Sequence, residues 1–213
     1  MSHAAGSRPG TAAKGPAGPD ERLAADVTAL LRGYPDFPEP GVLFQDLCPV
    51  LAEPGLLARL AAEVAFRYDG AFDVVLAVEA RGFPLGGALA QLTASPLVLA
   101  RKPGKLPGRL HTVRYALEYG DAVLQTQADA FAAGARVLLV DDVLATGGTL
   151  AAAARLVELG GGRVAGYAVV ATIAPLGGAA RLAPLAAFSV LSLPVEDVGD
   201  VGDAAGVRAR GPR

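Results

Sequence analysis

The sequence predicts an α/β fold: a mostly parallel sheet flanked by helices on both faces. Three observations predict it. Short apolar runs bounded by polar residues, "FDVVLAV", "PLVLAR", "RVLLV", "VAGYAVVATI" and "AFSVLSL", read as strands buried on both sides. Between several of them lie stretches with apolar residues at three- and four-residue spacing, as in amphipathic helices. The polar turns "EARGF", "RKPGKLPG" and "DDVLATGGT" each follow a strand, at the carboxyl end where open parallel sheets bind ligands.

Residues 1–19, "MSHAAGSRPGTAAKGPAGP", are rich in Gly, Ala and Pro and lack the apolar centre of a signal peptide, so they read as a disordered extension. Asp20 is placed to cap a helix through "ERLAADVTALLRG". The next stretch, "YPDFPEPGVLFQDLCPVL", carries four prolines and is no regular helix. A second amphipathic helix, "GLLARLAAEVAFRY", leads to the strand "FDVVLAV"; a glycine-rich helix, "GFPLGGALAQLTA", leads to "PLVLAR". "HTVRYALEYG" and "DAVLQTQ" read as a strand pair or mobile flap that turns at Tyr119-Gly120-Asp121. "RVLLV" is a strand and "GTLAAAARLVELG" a helix ended by glycine. The uncharged stretch 164–180 is broken by Pro175 and a glycine pair, and reads as a buried strand plus a turn rather than a membrane span. "AFSVLSL" is the last strand, which places one domain at 20–195 and a flexible tail at 196–213.

At 213 residues the chain suits one domain with tails, and 52% hydrophobic with 19% charged residues is a globular composition. With a net charge of −2, nothing in the composition suggests general nucleic-acid binding. Cys48 is the only cysteine, so an intramolecular disulfide and a thiolate zinc site are both excluded; it reads as a small packing residue in a protein of the reducing cytoplasm.

The chemistry concentrates in "VLLVDDVLATGGTL". A strand, a small-residue turn and a helix start make an anion site, because the first N–H groups of a helix have no internal partners and point outward. Gly147 and Gly148 let the main chain approach a phosphate, and Thr146 and Thr149 add hydroxyl donors. There is no G-x-x-x-x-G-K-S/T for a nucleoside triphosphate and no GxGxxG for a dinucleotide. Asp141 and Asp142, just before the turn, can accept from vicinal hydroxyls or organise a hydrated Mg²⁺. Two acids beside a phosphate turn suggest a sugar phosphate.

Residues 136–149 resemble the phosphoribosyl-pyrophosphate (PRPP) signature of the type I phosphoribosyltransferases. Four further stretches narrow the resemblance to the adenine phosphoribosyltransferases: "YPDFPEPGVLFQD" (34–46), "EARGF" (79–83), "RKPGKLP" (101–107) and "LEYG" (117–120). The resemblance covers residues 22 to 193. It implies a small hood beside the sheet, a mobile flap, a homodimer, and formation of AMP and pyrophosphate from adenine and PRPP with Mg²⁺ as cofactor. It implies that Ala145, Thr146, Gly147, Gly148 and Thr149 cradle the 5′-phosphate and that Asp141 and Asp142 hold the ribose. The metal would then have no direct protein ligand, being carried by PRPP and bridged by water to the two acids.

By the same resemblance Ala80, Arg81, Lys102, Lys105 and Tyr119 face the pyrophosphate, with either lysine able to serve a neighbouring subunit. Glu118 is the implied catalytic group, brought to the purine by the flap. Phe44 is the implied stacking face for adenine, with Leu43, the main chain at Gln45, and Ile173 around it. Gln45 stands where the family usually carries arginine. Two other readings share the sugar-phosphate site: a PRPP-sensing transcription regulator, for which residues 1–21 are too short to supply a DNA-binding module, and a sister enzyme acting on xanthine, hypoxanthine or orotate.

Overall fold

In a computed structural model of the chain the described residues are 20–37, 40, 43–116 and 121–194. The expected extension at 1–19, the expected tail at 196–213, and Glu118 and Tyr119 lie outside them.

The Asp20 carboxylate accepts from the backbone N–H groups of Arg22 and Leu23 at 2.9 and 3.3 Å, and α1 runs over Glu21–Leu30 behind this cap. The proline-rich stretch after it forms no long helix. It gives β1 (Arg32–Tyr34) and β2 (Phe44–Asp46), an antiparallel pair in which Gly33 faces Gln45, and then the short α2 (Cys48–Ala52). This small pair stands apart from the main sheet. The remaining elements are α3 (Leu56–Arg67), β3 (Val74–Val78), α4 (Gly82–Thr93), β4 (Leu97–Ala100), β5 (Leu110–Ala116), β6 (Asp121–Gln127), β7 (Arg136–Val140), β8 (Val143–Leu144), α5 (Gly148–Leu159), β9 (Arg163–Ile173), a single 3₁₀ turn, α6 (Gly178–Leu182) and β10 (Ala187–Leu193).

The main sheet has the order β10-β9-β7-β3-β4, with every pairing parallel and β8 added to β9 beyond the end of β7. Alternate residues of each central strand enter opposite cores, as the two-residue period of a strand requires. Val75, Leu138, Val140, Ala168 and Val170 pack on one face with α1 to α4. Leu76, Leu139, Tyr167 and Val169 pack on the other with α5 and α6. That is why these strands read as unbroken apolar runs rather than alternating ones.

From β3 the chain moves outward to β4, and it later returns to place β7 on the other side of β3. The connections therefore diverge between β3 and β7, and a crevice opens at the carboxyl ends of these two strands. The antiparallel pair β5–β6 leans over it, anchored by backbone hydrogen bonds between Arg101 and Gln125, both 2.8 Å. Among the described residues no helix is long and apolar enough to cross a membrane.

Candidate active site

The crevice between the ends of β3 and β7 is a cleft of about 580 Å³, walled by Ala80, Arg81, Lys102, Asp141, Asp142 and Thr149 among others. Its floor is the break between β7 and β8. There the Asp141 N–H donates to Ala168 O at 3.2 Å, and the N–H groups of Val170 and Ala171 donate to Asp142 O at 2.9 and 3.1 Å. Backbone bonds to β9 thus hold both acids in place. The Asp142 N–H also donates to Asp141 Oδ1 at 2.9 Å. Each acid is only 7% exposed. Burial, and then the neighbouring Asp142 carboxylate, push the Asp141 carboxyl well above its usual range.

Arg81 supplies the opposing charge. Its Nε lies 2.6 Å from Asp142 Oδ2. The N–H is not aligned on that oxygen, so Oδ2 is buried without a hydrogen-bond donor. The same guanidinium lies over the Phe44 ring at 5.1 Å, and Phe37 meets Phe44 edge-on with centroids 5.1 Å apart. Arg81 reaches the acids because α4 begins directly against the end of β7. A Cβ on Gly82 would stand 2.7 Å from Val140 O and 3.0 Å from Asp141 Cα. Only glycine permits that approach.

The turn after the acids has the geometry of an anion site. Gly147 adopts φ +76° and precedes α5 with no side chain capping the first helical turn, so the first N–H groups of α5 are left for a ligand. Gly147 and Gly148 are buried, whereas Ala145, Thr146 and Thr149 are half-buried. Ala145 and Thr149 line the cleft itself.

On the far side, Glu79 fastens the second basic loop. Its carboxylate accepts from the Lys102 N–H at 2.8 Å and from Arg101 Nε at 3.2 Å. The Lys102 N–H first, and then the Arg101 guanidinium, hold the Glu79 carboxyl below its usual range. Lys102 and Lys105 are both exposed, and of the two only Lys102 borders the cleft.

Other expected residues stand farther off. Leu43, Phe44 and Gln45 are half-buried around β2 and are joined to the cleft through the Arg81–Phe44 contact. Ile173 ends β9, half-buried, at the same edge of the sheet. Cys48 corrects an expectation: it is exposed rather than packed in the core, because it opens α2 at the surface, where its N–H donates to Asp46 Oδ1 at 2.8 Å.

A sequence profile of the phosphoribosyl transferase domain matches residues 51–201. An adenine phosphoribosyltransferase from Saccharopolyspora erythraea is 50% identical over 166 residues, covering 78% of this chain and 90% of its own length. This chain belongs to the adenine phosphoribosyltransferase family. The solved structure of the Rhodothermus marinus adenine phosphoribosyltransferase, 40% identical, superposes with a TM-score of 0.77 over 82% of this chain and 100% of that one. The Saccharomyces cerevisiae enzyme, complexed with D-2,5-dideoxy-2,5-imino-altritol 1,6-bisphosphate and adenine, is 34% identical with a TM-score of 0.73 and covers 80% of this chain and 98% of its own.

Within this member of the adenine phosphoribosyltransferase family, three contributors to the cleft are not legible in the sequence. Glu79 stands in "EARGF", but its partners Arg101 and Lys102 lie in the loop after β4. Tyr115 lines the cleft from β5. Gly178, at the start of α6, packs under the phosphate turn so closely that a Cβ there would overlap Ala145 O. A glycine pair at 177–178 is a local signal for a turn only; what it touches is set by the fold.

Proposed function

We propose that this chain forms AMP and pyrophosphate from adenine and PRPP, a purine-salvage reaction. The observation that carries the reading is one cleft shared by a buried acid pair, an uncapped helix start bearing the Thr149 hydroxyl, and a guanidinium. The name borne by the 50% identical relative, and the adenine held by the yeast structure, support the choice of base.

In this reading the N–H groups of Ala145, Thr146, Gly147, Gly148 and Thr149, with the two threonine hydroxyls, take the 5′-phosphate. Asp141 and Asp142 accept from the ribose hydroxyls, for which the donor-free Asp142 Oδ2 is suited. As the bond from C1′ to pyrophosphate breaks, the sugar becomes oxocarbenium-like, and the adjacent carboxylate charge stabilises it. Arg81 turns from Asp142 to the departing pyrophosphate, joined by the Ala80 N–H, Lys102, Lys105 and Tyr119. Phe44 stacks on adenine, a contact worth about 1–3 kcal/mol, with Leu43, the Gln45 main chain and Ile173 bordering it. Glu118 handles the proton at the purine nitrogens, and closure of its flap keeps water from the activated sugar.

Mg²⁺ belongs to this reading as a companion of PRPP, and Asp141 and Asp142 are the residues that would hold it, through its water. Bound there, it would neutralise diphosphate charge. The enzyme is read as a cytoplasmic homodimer. Incubation with Mg²⁺, PRPP and each nucleobase in turn tests the assignment. AMP should form fastest; preferential formation of another nucleotide would sink the choice of adenine.

A further inference from the structure

Tyr115 lines the cleft, yet none of the roles above uses it. Its ring packs beside Val113 against the core that contains α5, so the phenol is held at one place. Its hydroxyl oxygen accepts from Thr149 Oγ1 at 3.4 Å. That is long for an O–H···O bond, whose usual length is about 2.7–2.8 Å. A phosphate oxygen is a charged and stronger acceptor, and it draws the Thr149 proton away from so loose a partner.

The proton count sets the polarity of this contact once phosphate binds. A phosphate dianion only accepts. Thr149 has a single hydroxyl proton, so once that proton is given to phosphate, its Oγ1 has lone pairs free and no donor. Tyr115 has a proton and sits at the right place to supply it. The pair therefore keeps its contact and reverses its polarity: Tyr115 O–H donates to Thr149 Oγ1, which donates to phosphate. Each bond in such a chain polarises the next.

We propose that Tyr115 is a positioning residue for the 5′-phosphate, acting through the hydroxyl of Thr149. The proposal rests on reading 145–149 as the 5′-phosphate turn. It gives the enzyme a phosphate-dependent bond from that turn to β5, the strand that runs toward Glu118 in the sequence.

The test is Tyr115→Phe, which keeps the ring and removes only the donor. Binding of ribose 5-phosphate and of pyrophosphate is measured separately by calorimetry, in wild type, Tyr115→Phe, Thr149→Val and the double variant. Loss of one neutral hydrogen bond should weaken ribose 5-phosphate about three- to tenfold in Tyr115→Phe and leave pyrophosphate within about twofold. In the Thr149→Val background the Tyr115→Phe change should cost nothing further, since the relay is already cut. A merely structural tyrosine would weaken both ligands together and add its effect in either background. Additivity, equal weakening of pyrophosphate, or unchanged ribose 5-phosphate binding would each overturn the proposal. A wild type that binds neither ligand would overturn the phosphoribosyl reading along with it.

Discussion

Arg81 Nε lies 2.6 Å from Asp142 Oδ2, so the cation assigned to the pyrophosphate and an acid assigned to the ribose face each other across the cleft. The Arg81 side chain is 44% exposed and that of Asp142 only 9%. Screening at the exposed end limits the pair to roughly 0.5–1 kcal/mol. Arg81 also draws the Asp141 carboxyl downward against burial and the Asp142 charge. Its removal should raise the folded-state pKa of Asp141 further above the unfolded value. A raised carboxyl pKa costs stability as pH climbs from the unfolded value toward the folded one. Arg81→Ala should therefore melt lower than wild type by a few degrees at pH 8, with a smaller gap at pH 5. An equal gap at both values would show no charge coupling to the acids. Its kcat/KM should fall by about 10²- to 10³-fold, the usual cost of losing a group aimed at transition-state charge.

Asp141 invites a change of opposite sign. Its carboxyl lies well above the usual 3.8 because burial, and then Asp142, disfavour the charged form. Stability is therefore lost as pH rises through the window above 3.8, and an amide at this position escapes that loss. Asparagine Oδ1 can still accept the Asp142 N–H, which the acid does at 2.9 Å. Asp141→Asn should melt above wild type at pH 8, and the advantage should close as pH falls toward about 4. Its kcat/KM should drop at every pH. Calorimetric melting from pH 4 to 8 checks this, and a variant that melts below wild type at pH 8 refutes it.

What the sequence made legible was local. Strands β3, β7 and β9 were readable because residues such as Val75 and Leu76 enter cores on opposite faces, which leaves the middle of each strand almost wholly apolar. The acid pair and the phosphate turn were readable because strand, turn and helix start are contiguous. The contacts between distant segments were not. Nothing around Phe44 indicates that Arg81 lies over its ring, and nothing near Thr149 indicates Tyr115. Strand β8 is not legible because two residues give no periodicity, although Val143 and Leu144 pair with Ala171 and Thr172 and so keep the chain on β9 beyond the acids. The exposure of Cys48 follows from the placement of α2, which composition does not set.

Gly178 is the sharpest test of such a distant contact. Beyond its overlap with Ala145 O, a Cβ there would meet Leu144 Cδ1 at 2.7 Å and Gly147 N at 3.0 Å. Two of these three atoms are main chain, so the phosphate turn itself must shift. Overpacking of this kind costs about 1–3 kcal/mol, and a displacement near 1 Å at a binding site can cost about 10²-fold. Gly178→Ala should lower Tm by several degrees and raise the KM for PRPP more than tenfold, although residue 178 lies well outside the signature. Gly177→Ala is the control. A Cβ there meets nothing within 4 Å, but φ is +72°, so it should lose stability through backbone strain while leaving KM nearly unchanged.

Glu79 holds the basic loop by charge as well as by shape. It accepts from the Lys102 N–H at 2.8 Å and from Arg101 Nε at 3.2 Å, with Arg101 Nη2 a further 3.4 Å contact. Glutamine can keep the first of these through its amide oxygen and loses the ionic part of the others. The Glu79 carboxyl lies below its usual 4.5, first because of the Lys102 N–H and then because of Arg101. A depressed carboxyl pKa stabilises the fold above the unfolded value, and the stabilisation disappears as pH falls through the folded one. Glu79→Gln should therefore melt below wild type at pH 7 and converge with it as pH falls below the usual carboxylate range. With Lys102 less firmly placed, the KM for PRPP should rise several-fold while kcat changes less, because the glutamate orients the loop rather than touching the reacting atoms. A fall in kcat with KM unchanged would instead assign Glu79 to the chemical step.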